Sequence, residues 1–327
     1  MGEAGLRVLG STGLTVSRIG LGLAALGRPA YINLGRDQDY GGERTIASME
    51  RRCHEMLDAA HAAGIRYVDA ARSYGLAETF LGHWLSARRP ARDALTIGSK
   101  WGYSYVGSWR LDAPVHEVKD LSVETLRRQI VESRTLLGEG LRLYQIHSAT
   151  TDSGVLDDAR VLDELGRLQS EGLAIGLTVT GPSQADVIRR ALDVNTRRAN
   201  LFQVVQATWN LLEPSAGPAL ADAKACGLGV IIKEAVANGR LTDRNPSEEA
   251  SRLKRYADTH HTSPDVVAIA AALSNAWVDV VLSGAVTVDQ LAGNMRGVAL
   301  AETAGDWPGI AETPHEYWAR RSSLTWR

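Results

Sequence analysis

The sequence predicts an α/β protein, a (β/α)8 barrel in which eight parallel strands alternate with eight helices. The first observation is that short apolar runs alternate almost throughout with segments whose apolar residues recur at helical spacing. The second is that three early runs stop on the polar residues Asp69, Lys100 and His147. Because successive strand ends of a parallel barrel meet on one rim, these side chains are expected to converge there.

The predicted strands follow one another without a low-complexity linker, and we expect a single domain over residues 1–327. A small hairpin is predicted before the first barrel strand, because apolar runs at 6–9 and 14–16 flank a Gly-Ser-Thr-Gly turn. Long loops at 101–121 and 234–250, with the tail at 303–327, are expected to cover one rim. The barrel strands are predicted at 18–23, 65–69, 95–100, 141–147, 173–179, 201–206, 229–233 and 278–282.

Composition excludes several classes of protein. The formal net charge of −2 gives no overall attraction to nucleic acid or to anionic lipid. The most apolar late stretch, 266–282, is interrupted by polar residues, so no membrane span is predicted. Two isolated cysteines, Cys53 and Cys226, imply neither a disulfide framework nor a thiolate metal site. With no signal-peptide pattern, we expect a cytoplasmic protein, of an oligomeric state that the sequence does not reveal.

The residues at the strand ends suggest proton transfer. Tyr74 lies just beyond Asp69, and an ordinary tyrosine, with a pKa of about 10, is a weak acid near neutrality. A cation nearby lowers the pKa of a phenol, so Lys100 is expected to act on Tyr74 while Asp69 holds the ammonium. His147 would orient a carbonyl oxygen toward the phenol. Taken singly, each residue has a simpler interpretation, such as a helix cap for Asp69 or a solvated loop residue for Lys100.

These segments closely resemble the aldo-keto reductase family. The resemblance implies a barrel that binds an extended nicotinamide cofactor without a Rossmann fold, which agrees with the absence of a strand–GxGxxG–helix unit. It also implies that Tyr74 is the general acid, that Lys100 and Asp69 tune it, and that His147 orients the carbonyl. The matching segments are 67–75, Glu78 with 81–82, 99–100, 144–147, 210–212, 227–231, 239–242, Gly284, Gln290 and Asn294, within a resemblance that runs from about Leu6 to about Gly297.

The nicotinamide end of the implied cofactor site departs from the family pattern. Gln206 matches the glutamine that binds the nicotinamide amide. The usual Ser-Asn after the fifth strand is Thr178-Val179 here, so one contact to the carboxamide is expected to be lost. The position of the aromatic ring that stacks on the nicotinamide is occupied by Lys233, followed by Glu234.

The phosphate end is expected where the last strand enters its helix. Residues 283–287 include Gly284 and Thr287 and present backbone N–H groups to an anion, and Gln290 and Asn294 follow on one helix face. The basic residue that often grips the 2′-phosphate of NADP is absent from this segment. Arg240, next to Gly239, or Arg296 would substitute for it. The resemblance favours NADP, with NAD as the alternative.

The substrate side is less determined. Tyr31, Trp101, Trp109 and Trp209 lie on loops beside the predicted rim and would form an apolar pocket, although an equal expectation is that half of such aromatics only anchor loops. Sugar-like, steroid-like and small aromatic carbonyl compounds all stay open as substrates. The runner-up to an oxidoreductase is a cofactor-binding sensor or regulatory subunit with little turnover. A metal-dependent isomerase or hydrolase is a weak third, because the later strand ends offer only Glu234 and no metal site is predicted.

Overall fold

Eight parallel strands close into a barrel in the computed structural model, which describes residues 5–89, 94–194 and 200–326. Each strand pairs with the next barrel strand along the chain, and the last pairs with the first, as predicted for a (β/α)8 fold. The barrel strands are β3 (Ile19–Gly22), β4 (Tyr67–Asp69), β5 (Thr96–Trp101), β8 (Leu141–Ala149), β9 (Ala174–Val179), β10 (Val204–Thr208), β11 (Gly229–Lys233) and β12 (Val280–Ser283).

Helices surround the barrel and bury their apolar faces against it, and the last helix lies over the carboxyl-end rim. The first of them begins at an N-cap, Thr45, whose side chain accepts from the Ser48 N–H, and it buries Met49, Cys53 and Met56. The helices are α1 (Ile46–Ala62), α2 (Ala77–Arg88), α3 (Val123–Leu137), α4 (Ala159–Ser170), α5 (Gln184–Leu192), α6 (Gly217–Ala225), α7 (Glu248–Thr259), α8 (Pro264–Leu273), α9 (Val288–Thr303) and α10 (Pro314–Ser322).

The predicted N-terminal hairpin closes the amino end of the barrel. Strands β1 (Leu6–Val8) and β2 (Thr15–Ser17) pair antiparallel, and Leu9, Leu14 and Val16 pack into an apolar cluster inside the barrel. Its turn approaches the barrel closely at Gly10, where φ is +50° and a Cβ would lie 2.1 Å from the Gly229 nitrogen. The hairpin therefore leaves the carboxyl-end rim as the accessible face.

Three elements on or near that rim were not predicted. A second hairpin, β6 (Tyr103–Tyr105) with β7 (Glu117–Lys119), folds within the predicted 101–121 loop. Helix α7 begins within the last residues of the predicted 234–250 loop, and α10 lies in the tail. The sixth strand begins at Val204 rather than at Leu201. Within the part of the chain that is described, no helix has the length and apolar character to cross a membrane.

Candidate active site

Asp69, Tyr74, Lys100 and His147 meet at the carboxyl-end rim. Asp69 ends β4, Lys100 lies near the end of β5, and Tyr74 lies in the turn before α2. The Lys100 ammonium is 1 % exposed and donates to Asp69 Oδ1, to the Ala70 carbonyl at 2.9 Å and to Tyr74 Oη at 3.2 Å. The three side chains therefore form one hydrogen-bonded unit with the phenol at its outer end.

The other oxygen of Asp69 is held from two sides. Tyr67 Oη donates to Asp69 Oδ2 at 3.0 Å, and Gln206 Nε2 donates to the same oxygen at 2.9 Å. A buried carboxylate is stable only when it is paired and hydrogen-bonded, and this one has both kinds of partner. The arrangement gives both oxygens of Asp69 hydrogen-bond donors beside the Lys100 ammonium.

The phenol of Tyr74 is held in its protonated form. Burial raises the pKa of Tyr74 well above its ordinary value, and the negative charge of Asp69 raises it further. The predicted net lowering of the pKa of Tyr74 is therefore wrong. Burial, which the sequence does not reveal, disfavours the phenolate, and together with the charge of Asp69 it outweighs the contact from Lys100.

His147 lies against the phenol. The two rings are 5.5 Å apart in an edge-to-face arrangement, and Ser73 Oγ lies 3.4 Å from His147 Nδ1. Burial lowers the pKa of His147 well below its ordinary value, and the positive charges of Lys100 and Arg28 lower it further. The imidazole is therefore neutral near pH 7 and has one N–H to offer to a carbonyl oxygen.

Two cavities joined end to end run from this unit across the rim. The central cavity is lined by Asp69, Tyr74, Gln206, Lys233, Ser283 and Gly284, among other residues. The far cavity shares Asn33, Val236 and Gly284 with it and continues past Gly239 to Gln290 and Asn294. An elongated cleft of this kind matches an extended dinucleotide whose reactive ring lies beside the phenol. Six of the predicted cofactor residues line it: Gln206, Lys233, Gly239, Gly284, Gln290 and Asn294.

Lys233 and Glu234 both reach the central cavity, although neighbours on a strand normally point to opposite faces. The strand ends at Lys233, and Glu234 has a left-handed φ of 58°, which redirects its side chain. Lys233 Nζ donates to Thr208 Oγ1 at 2.7 Å and lies 3.7 Å from Glu234 Oε1. Burial lowers the pKa of Lys233 to about 8, despite the nearby Glu234. Burial raises the pKa of Glu234, but the charges of Arg321 and Lys233 outweigh that effect and bring it to about 2.

Thr178 and Val179 are both buried at the end of β9. Thr178 Oγ1 accepts from the Ser148 N–H at 2.7 Å, and Val179 packs in the apolar core. An apolar side chain at Val179 offers no hydrogen bond to a carboxamide, so this departure from the family pattern stands.

Neither arginine that was predicted to grip a 2′-phosphate lines the far cavity. The Arg240 guanidinium is buried, binds the Glu312 carboxylate through both terminal nitrogens, and lies over the Tyr317 ring at 5.5 Å. Arg296 is exposed on α9. Thr287 caps α9 by accepting from the Gln290 N–H at 3.3 Å and is not part of the cavity lining.

The third cavity, here called the tail cavity, opens from Tyr74 and His147 toward the C-terminal tail. Of the predicted substrate aromatics, Tyr31 lines it and three do not. Trp101 is fully buried in the core, Trp109 packs on Phe80, and Trp209 packs on Trp277. Large indoles beside a barrel gain more free energy from burial under loops than from facing solvent, so these three anchor their segments.

The tail cavity is charged, which the sequence did not indicate. Arg28 is 2 % exposed and donates through Nη1 to Glu117 Oε1 at 2.5 Å. Its guanidinium lies 5.0 Å from the Tyr31 ring and 4.8 Å from the Trp326 ring. Arg321 on α10 lines the same cavity. Arg28 lies beyond the first barrel strand, as Tyr74 lies beyond the second. This shared position was the sequence feature that could have identified Arg28 as a residue of the site.

The described residues contain no group of three or more His, Cys, Asp or Glu side chains that could hold a metal ion.

The family model described as "Aldo/keto reductase family" matches residues 18–312. Two relatives are each 26% identical: a D-threo-aldose 1-dehydrogenase from Pseudomonas, covering 92% of this chain and 95% of its own, and an L-galactose dehydrogenase from Arabidopsis thaliana, covering 92% and 90%. Among solved structures, a putative aldo-keto reductase from Pseudomonas aeruginosa has a TM-score of 0.65 at 26% identity, with 91% of this chain and 96% of that chain covered. An aldo-keto reductase from Bacillus halodurans has a TM-score of 0.68 at 22% identity, covering 98% and 96%, and supports the fold alone.

Proposed function

The chain belongs to the aldo-keto reductase family, and from this membership we infer that it is an NAD(P)H-dependent oxidoreductase that interconverts a carbonyl compound and an alcohol. We propose that Tyr74 is its general acid. The observation that carries this proposal is the hydrogen-bonded unit of Asp69, Lys100 and Tyr74, with His147 against the phenol. We retain a single domain and a cytoplasmic location as parts of the proposal.

In reduction, the phenol of Tyr74 gives its proton to the carbonyl oxygen as that oxygen becomes negative. The raised pKa of Tyr74 keeps the proton available across the neutral range. Lys100 lies 3.2 Å from the phenol oxygen and stabilises the phenolate that forms, and Asp69 holds the ammonium in place. The neutral His147 imidazole donates an N–H to the same carbonyl oxygen and so orients it. When bound, the nicotinamide supplies the hydride.

The cleft fits such a cofactor because it extends from the phenol to Asn294 and places amide donors and acceptors along its length. Gln206, which already binds Asp69 through its nitrogen, would use its amide oxygen toward the carboxamide. Lys233 would cover the ring with its aliphatic stem. The family resemblance favours NADP, whereas one relative is named an NADH-specific methylglyoxal reductase, so membership leaves the choice of cofactor open.

The chemistry of the tail cavity favours a polar substrate. Arg28, Glu117, Glu234 and Arg321 line it with charged groups, whereas a steroid-like substrate needs an apolar wall. Paired arginines and carboxylates donate to and accept from hydroxyl groups. We therefore propose a hydroxylated, sugar-like carbonyl compound or its alcohol as the substrate class, in keeping with the names of the two sugar dehydrogenase relatives.

The test is a panel of aldoses, hydroxyaldehydes and steroid ketones, assayed with NADH and NADPH by nicotinamide absorbance. We expect steady turnover with hydroxylated substrates and little with steroids. Tight cofactor binding without turnover of any substrate would support the alternative of a sensor or regulatory subunit, for which the departures at Val179, Lys233 and Glu234 are the motive. The intact Asp69–Lys100–Tyr74 unit favours the enzyme, because a sensor has no need of a proton donor.

A further inference from the structure

We propose that the far cavity selects NAD(H) against NADP(H), because its carboxylates repel a 2′-phosphate and accept from a 2′-hydroxyl. The inference rests on the proposed function and concerns the same cleft. The hydride-bearing ring must lie beside Tyr74 in the central cavity. The adenosine half of an extended cofactor therefore lies in the far cavity, which joins the central one at Asn33, Val236 and Gly284.

Charge in the far cavity is predominantly negative. Asp39, Asp243 and Asp265 line it, and Arg244 is the single cation among the described residues of its lining. A 2′-phosphate carries nearly two negative charges near neutral pH, so it would face three carboxylates and one guanidinium. A ribose hydroxyl is neutral and donates a hydrogen bond that a carboxylate accepts.

The guanidinium of Arg244 is already engaged. Its Nη1 donates to Asp39 Oδ2 at 2.8 Å and to the Gly35 carbonyl at 2.8 Å, and its Nη2 donates to Asp39 Oδ1 at 2.5 Å. The bidentate fork that an arginine would present to phosphate is thus occupied by a carboxylate. Binding a 2′-phosphate through Arg244 would require breaking this pair and leaving Asp39 beside the new anion.

Other cations near the cavity are also committed. Lys254 reaches Asp243 from α7 at 3.4 Å and does not line the cavity. Arg52 donates to the carbonyls of Asp39 at 2.7 Å and Tyr40 at 3.3 Å, and it borders a separate surface depression. Among the described residues, no unengaged lysine or arginine lines the place where the 2′-phosphate would lie.

The start of α9 adds little attraction for a phosphate. The Val286 N–H donates to Gln290 Oε1 at 3.0 Å, and the Gln290 N–H donates to Thr287 Oγ1, so two of the donors that could hold an anion are satisfied internally. Asp289 lies in the first turn and already provides the negative charge that the helix dipole favours.

Asp265 is the carboxylate best placed to accept from the ribose. It lies in the first turn of α8, and with its amide oriented to satisfy both partners Asn294 donates to Asp265 Oδ2 at 3.2 Å and accepts from Ser283 Oγ at 2.8 Å. Asn294 therefore connects this carboxylate to the end of the last barrel strand, at the junction of the two cavities. Within the described part of the chain no lysine or arginine lies within 4.0 Å of the Asp265 carboxylate, and Arg244, the one cation that its charge acts on across the cavity, is held by Asp39.

The experiment titrates the full-length protein with NADH and with NADPH and follows the nicotinamide fluorescence. Repulsion between one carboxylate and one negative charge of the 2′-phosphate about 10 Å away, at an effective dielectric constant of about 20, lowers the affinity about tenfold. We expect NADH to bind at least about tenfold more tightly. NADPH binding equal to or tighter than NADH binding would overturn the inference. Binding of neither cofactor would instead overturn the proposed function and the inference with it.

Variants assign the effect to the carboxylates. Asp265→Asn should improve NADPH binding relative to NADH by about tenfold, and Asp39→Asn, which releases Arg244, should act in the same direction. The matched control is Asp112→Asn, which removes an exposed carboxylate that pairs with Arg110 through two bonds of 3.0 Å on another loop. The control should leave the ratio of the two affinities unchanged. If both cavity variants fold, as judged by circular dichroism, and keep the wild-type ratio, the assignment is overturned.

Discussion

Replacing Tyr74 with phenylalanine tests the proposed mechanism most directly. The change removes the phenol oxygen and keeps the ring that packs against His147 at 5.5 Å. Lys100 retains its bonds to Asp69 and to the Ala70 carbonyl, so the rest of the unit should stay in place. The variant therefore loses the proton donor while keeping the cofactor cleft.

The expected magnitude follows from general acid catalysis. Loss of a positioned donor slows a reaction by about 10²–10⁴-fold, which corresponds to about 2.7–5.4 kcal/mol in the activation free energy. Because the variant has no phenol to protonate, raising the proton concentration should not restore its rate. The affinity for reduced cofactor should change by less than about threefold, since the phenol lies at the reacting end of the cleft.

The assay measures kcat for carbonyl reduction and, separately, the cofactor Kd by fluorescence. The matched control is Tyr144→Phe, which removes another buried phenol three residues before His147, in the apolar core and outside the three cavities. This control should keep nearly wild-type turnover. A Tyr74→Phe enzyme with wild-type kcat would falsify the assignment of the proton donor. Equal losses in both variants would mean that the effect arises from packing.

Further predictions concern the charged groups around the cleft. With its pKa at about 8, Lys233 is charged below that pH and repels the cationic oxidised nicotinamide, so the affinity for oxidised cofactor should rise as the pH passes 8. Lys233→Met should bind the oxidised form more tightly and abolish this rise. Equal effects of the variant on both redox forms would place Lys233 away from the ring. Lys100→Met leaves the Asp69 carboxylate buried without its cation and should lower the free energy of unfolding by about 3–5 kcal/mol in denaturant titrations, with Asp69→Asn restoring part of the loss in the double variant. Arg240→Ala should lower the thermal midpoint, because Glu312 loses its buried partner, and should leave the NADPH-to-NADH affinity ratio unchanged; a selective loss of NADPH binding would return Arg240 to the cofactor site.

The barrel could be predicted because its signal is periodic and repeated. Each strand is a short apolar run, each helix has its own spacing, and the parallel topology follows from their alternation. The elements that were missed lack such a signal. Helix α7 is polar and buries only Ala250, Leu253 and Ala257, and strands β6 and β7 have three residues each. The extent of the domain stays a prediction.

The meeting of Asp69, Lys100 and His147 was predictable because strand ends of a barrel share a rim. The sign of the pKa shift of Tyr74 was not, because it depends on burial, which is a property of the packed molecule. The same limit applied to the tryptophans. In the sequence Trp101 and Tyr31 are both aromatic residues beyond a predicted strand, yet the structure places the first in β5 and buries it in the core and places the second in the tail cavity.

Glu234, which follows the departure from the family pattern at Lys233, connects the end of β11 to the C-terminal helix. Its carboxylate is bound by Arg321 through contacts of 2.6 and 2.8 Å, and the Asn210 amide donates to its carbonyl at 3.0 Å. Arg321 belongs to α10, so this ion pair fixes the C-terminal helix over the rim. The carboxylate accepts hydrogen bonds from the guanidinium, which an aromatic side chain at position 234 could not do. The Lys233–Glu234 pair thus contacts both parts of the site, with the lysine at the cofactor cleft and the glutamate holding the helix that forms one wall of the tail cavity.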